Sequence, residues 1–314
     1  VSFMLSACNF YMPIFEEALD AYGLPLELRY LPIIESALNP SAVSRAGASG
    51  LWQFMIGTGK IYGLESNSLV DERRDPIKAT WAAARYLKEM YDIYGDWNLV
   101  IAAYNCGPGT INKAIRRANG ETDYWKIYNY LPKETRGYVP AFIAANYVMT
   151  YYCDHNICPM ETNIPASTDT VQVNQNLHFE QIADLCNVPL DQIKSLNPQY
   201  KKQMIPGDSK PYTLRLPIDA ISTFIDKQDT IYAHRADELF RNRKTVAVKD
   251  ITPATRKTTT AVAGKGKLTY YTIKSGDTLS TIAGKYGVTI KDIQRWNGMS
   301  NTKIAAGKRL KIYK

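Results

Sequence analysis

Three short segments of the chain bring together residue types that could perform acid–base chemistry on a sugar. They are Glu35-Ser36, Gly50-Leu51-Trp52-Gln53-Phe54-Met55 and Ala103-Tyr104-Asn105-Cys106-Gly107. A carboxyl group protonates a leaving oxygen near neutral pH only if its surroundings keep it neutral. Glu35 follows Leu31, Ile33 and Ile34 at a predicted helix end, so partial burial and a raised pKa are expected. Amides and aromatics beside such an acid could hold a ring carrying hydroxyl and acetamido groups, and glycine lets a backbone approach a ligand closely. Cys106 is not read as a nucleophile, because no histidine lies in any of the three segments to activate it.

The elements that must position these segments read as helices throughout residues 11–155. Phe10, Ile14, Phe15, Ala18, Leu19 and Tyr22 recur at helical spacing, and Gly23-Leu24-Pro25 ends that element. A second helix over about 26–36 carries Glu35 up to a break at Asn39-Pro40. Asp75-Pro76 is a good N-cap and first-turn pair for a long helix over 77–94. Shorter helices follow over 97–105 and 109–118, then a long one over 135–152. The other acids near the motifs, Glu65, Asp71, Glu72 and Asp75, read as loop charges and a helix cap.

The three segments, in this order, resemble the lytic transglycosylase family (glycoside hydrolase family 23, the fold shared with goose-type lysozyme). Within it the chain looks most like the membrane-bound D-type members, and the resemblance spans roughly residues 10–155. It implies a mainly α, lysozyme-like catalytic domain over 1–160 that cleaves the β-1,4 bond between N-acetylmuramic acid and N-acetylglucosamine in peptidoglycan. Glu35 would act first as acid and then as base, the substrate's own acetamido group standing in for a second carboxylate. The product would be a 1,6-anhydromuramic end. By the same resemblance Ser36 and Gln53 would orient the N-acetyl group, Gly50 would let the backbone approach the sugar, and Phe54 and Met55 would line the wall. Tyr104 and Asn105 would face the intermediate, and Tyr138 in Glu134-Thr135-Arg136-Gly137-Tyr138-Val139 would lie close to Glu35. Trp52 either joins them or fills the core below the loop.

From about residue 168 the pattern changes to a β-α-α-β plan that occurs twice, an internal repeat. The second copy, over 268–314, has Tyr270–Ile273 and Arg309–Ile312 as strands and 279–286 and 290–297 as helices. With Gly276-Asp277-Thr278-Leu279, Ile282-Ala283, Tyr286-Gly287-Val288 and Trp296-Asn297 it resembles a LysM module. That resemblance implies glycan binding in a shallow groove by Gly276, Asp277, Thr278, Leu279 and Ile304, although Gly276-Asp277 would suit a turn in any case. The first copy, over 168–218, has Asn174-Gln175-Asn176-Leu177-His178 where the second has Ser275–Leu279. It is read as a degenerate LysM-like module. Small α+β modules thus follow the helical domain. Between them a helical extension is expected over 219–244 and a flexible linker, rich in Thr, Ala, Lys and Gly, over 245–267.

The net charge of +8 is unevenly placed, since residues 249–314 carry 14 Lys and Arg against 3 Asp and Glu. A basic tail suits an acidic wall polymer, and without an aromatic-basic motif no nucleic-acid partner is expected. No stretch approaches the roughly 18–20 apolar residues of a membrane span. Three scattered histidines and five cysteines without paired CxxC spacing imply no metal or cofactor. Cys153 and Cys158 are close enough to bridge in an oxidising compartment, or are two small residues near a helix end. Leu5-Ser6-Ala7-Cys8 matches a lipoprotein box but lacks the basic and apolar regions that precede one, so Cys8 is read as structural. An exported, periplasmic monomer is expected, with any outer-membrane association made by a signal or lipid anchor outside this chain. Two other readings stay open: a hydrolytic muramidase of the goose-type lysozyme fold, and a non-catalytic LysM wall-binding scaffold.

Overall fold

The computed structural model describes residues 1–162, 164–165, 167–240, 268–274, 277–299, 304–305 and 307–313. The chain divides into two compact units, Val1–Ile251 and Thr252–Lys314. The expected linker over 245–267 and the glycan-site candidate Gly276 lie outside the described residues.

The first unit opens with eight helices: α1 (Ser2–Ala21), α2 (Leu31–Ser36), α3 (Ile56–Ile61), α4 (Pro76–Tyr94), α5 (Trp97–Cys106), α6 (Pro108–Arg117), α7 (Tyr124–Ile127) and α8 (Lys133–Thr150). Helix α4 starts where Asp75 Oδ1 accepts from the amides of Ile77 and Lys78, and it stops at Gly95, whose φ of 63° suits glycine. One residue on, Asp96 caps α5 through the Leu99 amide. These signals fold α4 back on α5, and the buried alanines 79, 82 and 83 of α4 and 102 and 103 of α5 leave room for close packing. Trp52 is fully buried in this core, edge-on to Phe15, with its indole N–H donating to Thr80 Oγ1 at 2.9 Å. Of the two readings open for Trp52, the structure supports the core.

The segment 26–36 is two pieces, a 3-10 turn over Leu26–Tyr30 and then α2. Pro32 has no N–H to continue the ladder from the preceding turn, so the helix restarts there.

The same unit continues into β1 (Thr168–Val173), β2 (Asn176–His178), α9 (Phe179–Cys186), α10 (Leu190–Leu196), β3 (Met204–Pro206) and β4 (Tyr212–Pro217). β1 and β4 pair antiparallel from Thr168↔Pro217 to Val173↔Tyr212. Alternate residues Tyr212, Leu214 and Leu216 of β4 are buried, as a strand with one covered face requires. β2 and β3 form a second short ladder that the sequence pattern did not announce. The core of this module includes Leu69 and Val70 from the helical body. The expected single helix after it is three: α11 (Ile218–Asp226), α12 (Gln228–Ala233) and α13 (Ala236–Leu239). The chain bends so that Phe224 and Ile231 both stay buried, and Arg235, left-handed at φ 51°, pairs with Asp184, Glu180 and Glu238.

The second unit holds β5 (Leu268–Thr272), α14 (Leu279–Tyr286), α15 (Ile290–Asn297) and β6 (Arg309–Tyr313), with β5 and β6 antiparallel. Thr278 and Thr289 cap the two helices in reciprocal capping boxes, and left-handed Gly287 and Gly298 end them. Ile282, Ile293, Trp296, Leu310 and Ile312 fill its core. No helix among the described residues is long and apolar enough to cross a membrane.

Candidate active site

Glu35 stands on the last turn of α2, which ends abruptly. Ala37 and Leu38 are both left-handed, at φ 51° and 59°. Their amides turn back to the carbonyls of Ile33 and Pro32. Two consecutive non-glycine residues in this region cost about 1–3 kcal/mol each, and burial of the Leu38 side chain offsets part of that. The Tyr138 hydroxyl, from α8, donates to Glu35 Oε1. Burial pushes the Glu35 carboxyl up to about 7; the Tyr138 hydrogen bond works against that rise, and the charge of Glu134 adds to it. A carboxyl with that pKa can both give and take a proton at neutral pH. Tyr138 and Tyr104 are held far above the ordinary phenol range, first by burial and then by the Glu35 charge, so both remain hydroxyl donors.

The second segment forms a tight loop beside α2, and most of its polar groups are spent on holding it there. Ser36 Oγ lies 2.9 Å from the Leu51 carbonyl and 3.0 Å from that of Pro32, so its single proton is used on backbone. The Tyr104 hydroxyl donates to the Trp52 carbonyl at 2.7 Å. Gln53, left-handed at φ 47°, turns its amide back on the loop, Nε2 donating to Gly50 O at 2.8 Å and Ala42 O at 3.3 Å. Gly50 is buried at φ 89°, and a Cβ there would lie 1.7 Å from the Arg73 carbonyl oxygen. Approach of the loop to Arg73 accounts for glycine at 50. Phe54, 3 % exposed, packs in the core against Tyr62 rather than on an open wall, while Met55 is exposed. Asn105 Oδ1 accepts from Thr135 Oγ1 at 2.8 Å, which ties the end of α5 to the start of α8.

Glu35, Ser36, the loop, Tyr104 and Tyr138 are thus linked around one carboxyl. Four residues to which the sequence reading gave no part in the site belong to the same framework: Asp71, Arg73, Thr80 and Thr135. Asp71 and Glu72 are not solvated loop charges. Asp71 is 1 % exposed and doubly bonded to Arg73, and Glu72 accepts from the Glu65 amide and pairs with Lys78. Glu65 pairs with Lys210. The detectable signal was four charged residues in a row before the Asp75-Pro76 helix start. All five cysteines are free thiols, Cys153 and Cys158 included. Burial pushes the Cys106 thiol up, away from nucleophile chemistry. Among the described residues no group of His, Cys, Asp and Glu could hold a metal ion.

In the second unit Asp277 accepts from the Tyr271 hydroxyl and the Lys274 amide, which hold its carboxyl below the usual range. Thr278 caps α14 and Leu279 is buried, so all three build the fold. Ile304 lines a cavity of about 420 Å³ together with Ile273, Asn297, Met299 and Ala305.

Three family models match the chain. Residues 12–127 match the transglycosylase SLT domain, 167–233 the LysM-like domain of lytic transglycosylase MltD, and 271–312 the LysM domain. The chain therefore carries a transglycosylase SLT domain followed by an MltD-type LysM-like domain and a LysM domain. In particular, it is similar to the membrane-bound lytic murein transglycosylase D of Escherichia coli (strain K12), at 33% identity over 294 residues, 92% of this chain and 60% of that protein. The chain thus spans about three fifths of that relative's length. The soluble lytic murein transglycosylase of the same organism is 33% identical over 124 residues, 38% of this chain and 19% of that protein. A solved 70 kDa soluble lytic transglycosylase from Escherichia coli aligns with 46% of this chain and 24% of its own, at 29% identity and a TM-score of 0.40.

Proposed function

We propose that this chain is the catalytic and wall-binding part of an exported lytic transglycosylase. It cleaves the β-1,4 bond between N-acetylmuramic acid and N-acetylglucosamine and leaves a 1,6-anhydromuramic end. The observation that carries this reading is one carboxyl, Glu35, pushed by burial up to about 7 and bonded to a tyrosine hydroxyl.

The protonated Glu35 gives its proton to the glycosidic oxygen as the C1–O bond breaks, and the N-acetyl carbonyl oxygen of the same muramic residue closes on C1. The Glu35 carboxylate left behind then takes the proton of the 6-hydroxyl while O6 attacks C1 and expels the acetamido oxygen. Glu35 ends protonated and no water is consumed. Tyr138 stabilises the carboxylate during the interval. A well-placed acid and base contributes about 10²–10⁴ in rate. The second carboxylate common among glycosidases is unnecessary here, and Glu134 affects Glu35 through its charge. Mass spectrometry of soluble products from purified wall tests the reading: anhydro ends are expected. Reducing ends would transfer the chain to the hydrolytic muramidases, with Glu134 as partner acid.

The Tyr138 hydroxyl favours the charged form of Glu35, so Tyr138→Phe should raise the Glu35 pKa and move the alkaline limb of kcat to higher pH. Losing one hydrogen bond to a charged group costs about 1.5–3 kcal/mol, which predicts a roughly 10- to 100-fold lower kcat on solubilised glycan strands. A limb that stays in place would separate Tyr138 from the proton transfer.

The basic second unit, with Ile304 beside its cavity, is assigned to glycan retention, and Asp277, Thr278 and Leu279 to shaping it. Removing residues 241–314 should leave turnover of short soluble strands and weaken retention on insoluble wall by at least about tenfold, through lost avidity. Equal retention by the two forms in a pelleting assay would relieve the second unit of that role. A periplasmic location is inferred from the likeness to a membrane-bound lytic murein transglycosylase.

A further inference from the structure

The two LysM-type repeats differ in one telling respect. In both, an asparagine after the second helix makes the same three bonds. Asn197 Nδ2 donates to the carbonyls of Ile193 and Arg215 and Oδ1 accepts from the Arg215 amide. Asn297 does the same with Ile293 and Lys311. The partner lies 18 residues on in the first repeat and 14 in the second. In the second repeat Met299, Ala305 and Lys308 from this shorter stretch line the cavity beside Ile304. In the first, the longer stretch is laid against the SLT domain.

Residues 199–201 run alongside 69–71 like an added strand. The Asp71 amide donates to the Gln199 carbonyl at 2.9 Å and the Lys201 amide to the Leu69 carbonyl at 2.8 Å, with a bridge between Val70 and Tyr200. Lys201 Nζ donates to the Asn67 carbonyl at 2.7 Å and stands 3.9 Å from Asp71 Oδ2. Asp71 in turn grips Arg73 through two bonds, Nε to Oδ1 at 2.9 Å and Nη2 to Oδ2 at 2.8 Å. The remaining Arg73 nitrogen, Nη1, donates to Gly47 O at 2.8 Å and Phe54 O at 2.9 Å, the two ends of the loop beside Glu35. That loop carries the carbonyls of Leu51 and Trp52, to which Ser36 and Tyr104 are bonded. A forked, permanently charged donor is suited to fixing several carbonyls at once.

We propose that Arg73 is a positioning residue of the Glu35 site and that residues 199–201 of the first LysM-type module hold it in place. This module then serves catalysis as a buttress of the active-site loop, and its second-helix-to-strand stretch, committed to that contact, does not bind glycan. The inference rests on the transglycosylase reading for its kinetic consequences only.

The test uses the full chain with Lys201→Met and, as the conservative control, Lys201→Arg. Arg73→Met would strand the buried Asp71 and risks failure to fold, so the outer lysine is the better probe. A small displacement of catalytic groups costs up to about 100-fold. For Lys201→Met a 10- to 100-fold fall in kcat on solubilised strands is expected, with KM within twofold, a fully folded protein by thermal melt, and recovery in Lys201→Arg. As water reaches Glu35, its carboxyl titration, followed by 13C NMR without ligand, should shift to lower pH. An unchanged kcat and Glu35 titration would overturn the proposal. So would a loss confined to KM, which would make the module a substrate binder. A wild-type chain without turnover would instead defeat the transglycosylase reading, and the ligand-free titration would still decide on the buttress.

Discussion

Replacing Glu35 with Gln is expected to lower turnover by at least about 10³-fold and to make the folded protein more stable above neutral pH. The loss follows from removing the only group in the site that can both give and take the proton. The gain in stability comes from the raised carboxyl pKa. The unfolded glutamate ionises near its ordinary value of 4.5, the folded one near 7. Below about pH 4.5 both states hold the proton and the wild type has its full stability. Between the two values the unfolded chain releases its proton first, so stability falls with rising pH, and above about 7 it stays reduced. The deficit is on the order of 3 kcal/mol, and glutamine, which never ionises but can still accept from Tyr138, escapes it. Denaturant unfolding of both proteins at pH 4, 6 and 8 should show a gap that opens as pH rises. A constant gap would mean that Glu35 is not the strained acid, and turnover within tenfold of wild type would remove it from the mechanism.

That the site could be found in the sequence owes much to the order of three segments, Glu35-Ser36, 50–55 and 103–107, and to the family they resemble. Glu35 and Tyr138 lie 103 residues apart and meet. What the sequence did not convey is which group each residue answers to. Ser36, Gly50, Gln53 and Phe54 all belong to the site's framework, yet their partners are Leu51 O, the Arg73 carbonyl, Gly50 O and the core. Residue type gives the capacity to bond, and only the fold gives the partner. Asp71, read as a loop charge, and Arg73, not singled out, were missed for the opposite reason. Charges in a loop are usually solvated, and nothing local distinguishes a pair buried by residues 199–201 arriving from far along the chain. The long helices were legible from periodicity and caps, whereas the short α3 and α7 were not expected. The three-residue strands β2 and β3 were too short to alternate, and the bend before α13 goes with tertiary ion pairs such as Arg235–Asp184.

Gly50→Ala should be among the most damaging single substitutions outside the reacting groups. The new Cβ would have to lie 1.7 Å from Arg73 O and 2.6 Å from Arg73 C, both main-chain atoms that cannot swing aside. The backbone also sits at φ 89°, where a side chain adds about 1–3 kcal/mol of strain. Relief requires the loop to leave Arg73, which breaks the bonds from Arg73 to Phe54 O and from Gly50 N to Ala42 O. A destabilisation of about 3 kcal/mol or more is expected. The folded fraction should lose activity as well, because Leu51 O and Trp52 O would move away from Ser36 and Tyr104. Gly57→Ala, in α3, is the control: an added Cβ there meets nothing within 4 Å, and a helical alanine should be neutral or stabilising by about 0.5–1 kcal/mol. If the two variants unfold at the same denaturant concentration, the close approach of the loop to Arg73 is not a fixed feature of the fold. Opposite shifts, with kcat falling only in Gly50→Ala, would show that the loop's seat on Arg73 sets both stability and the placing of Glu35.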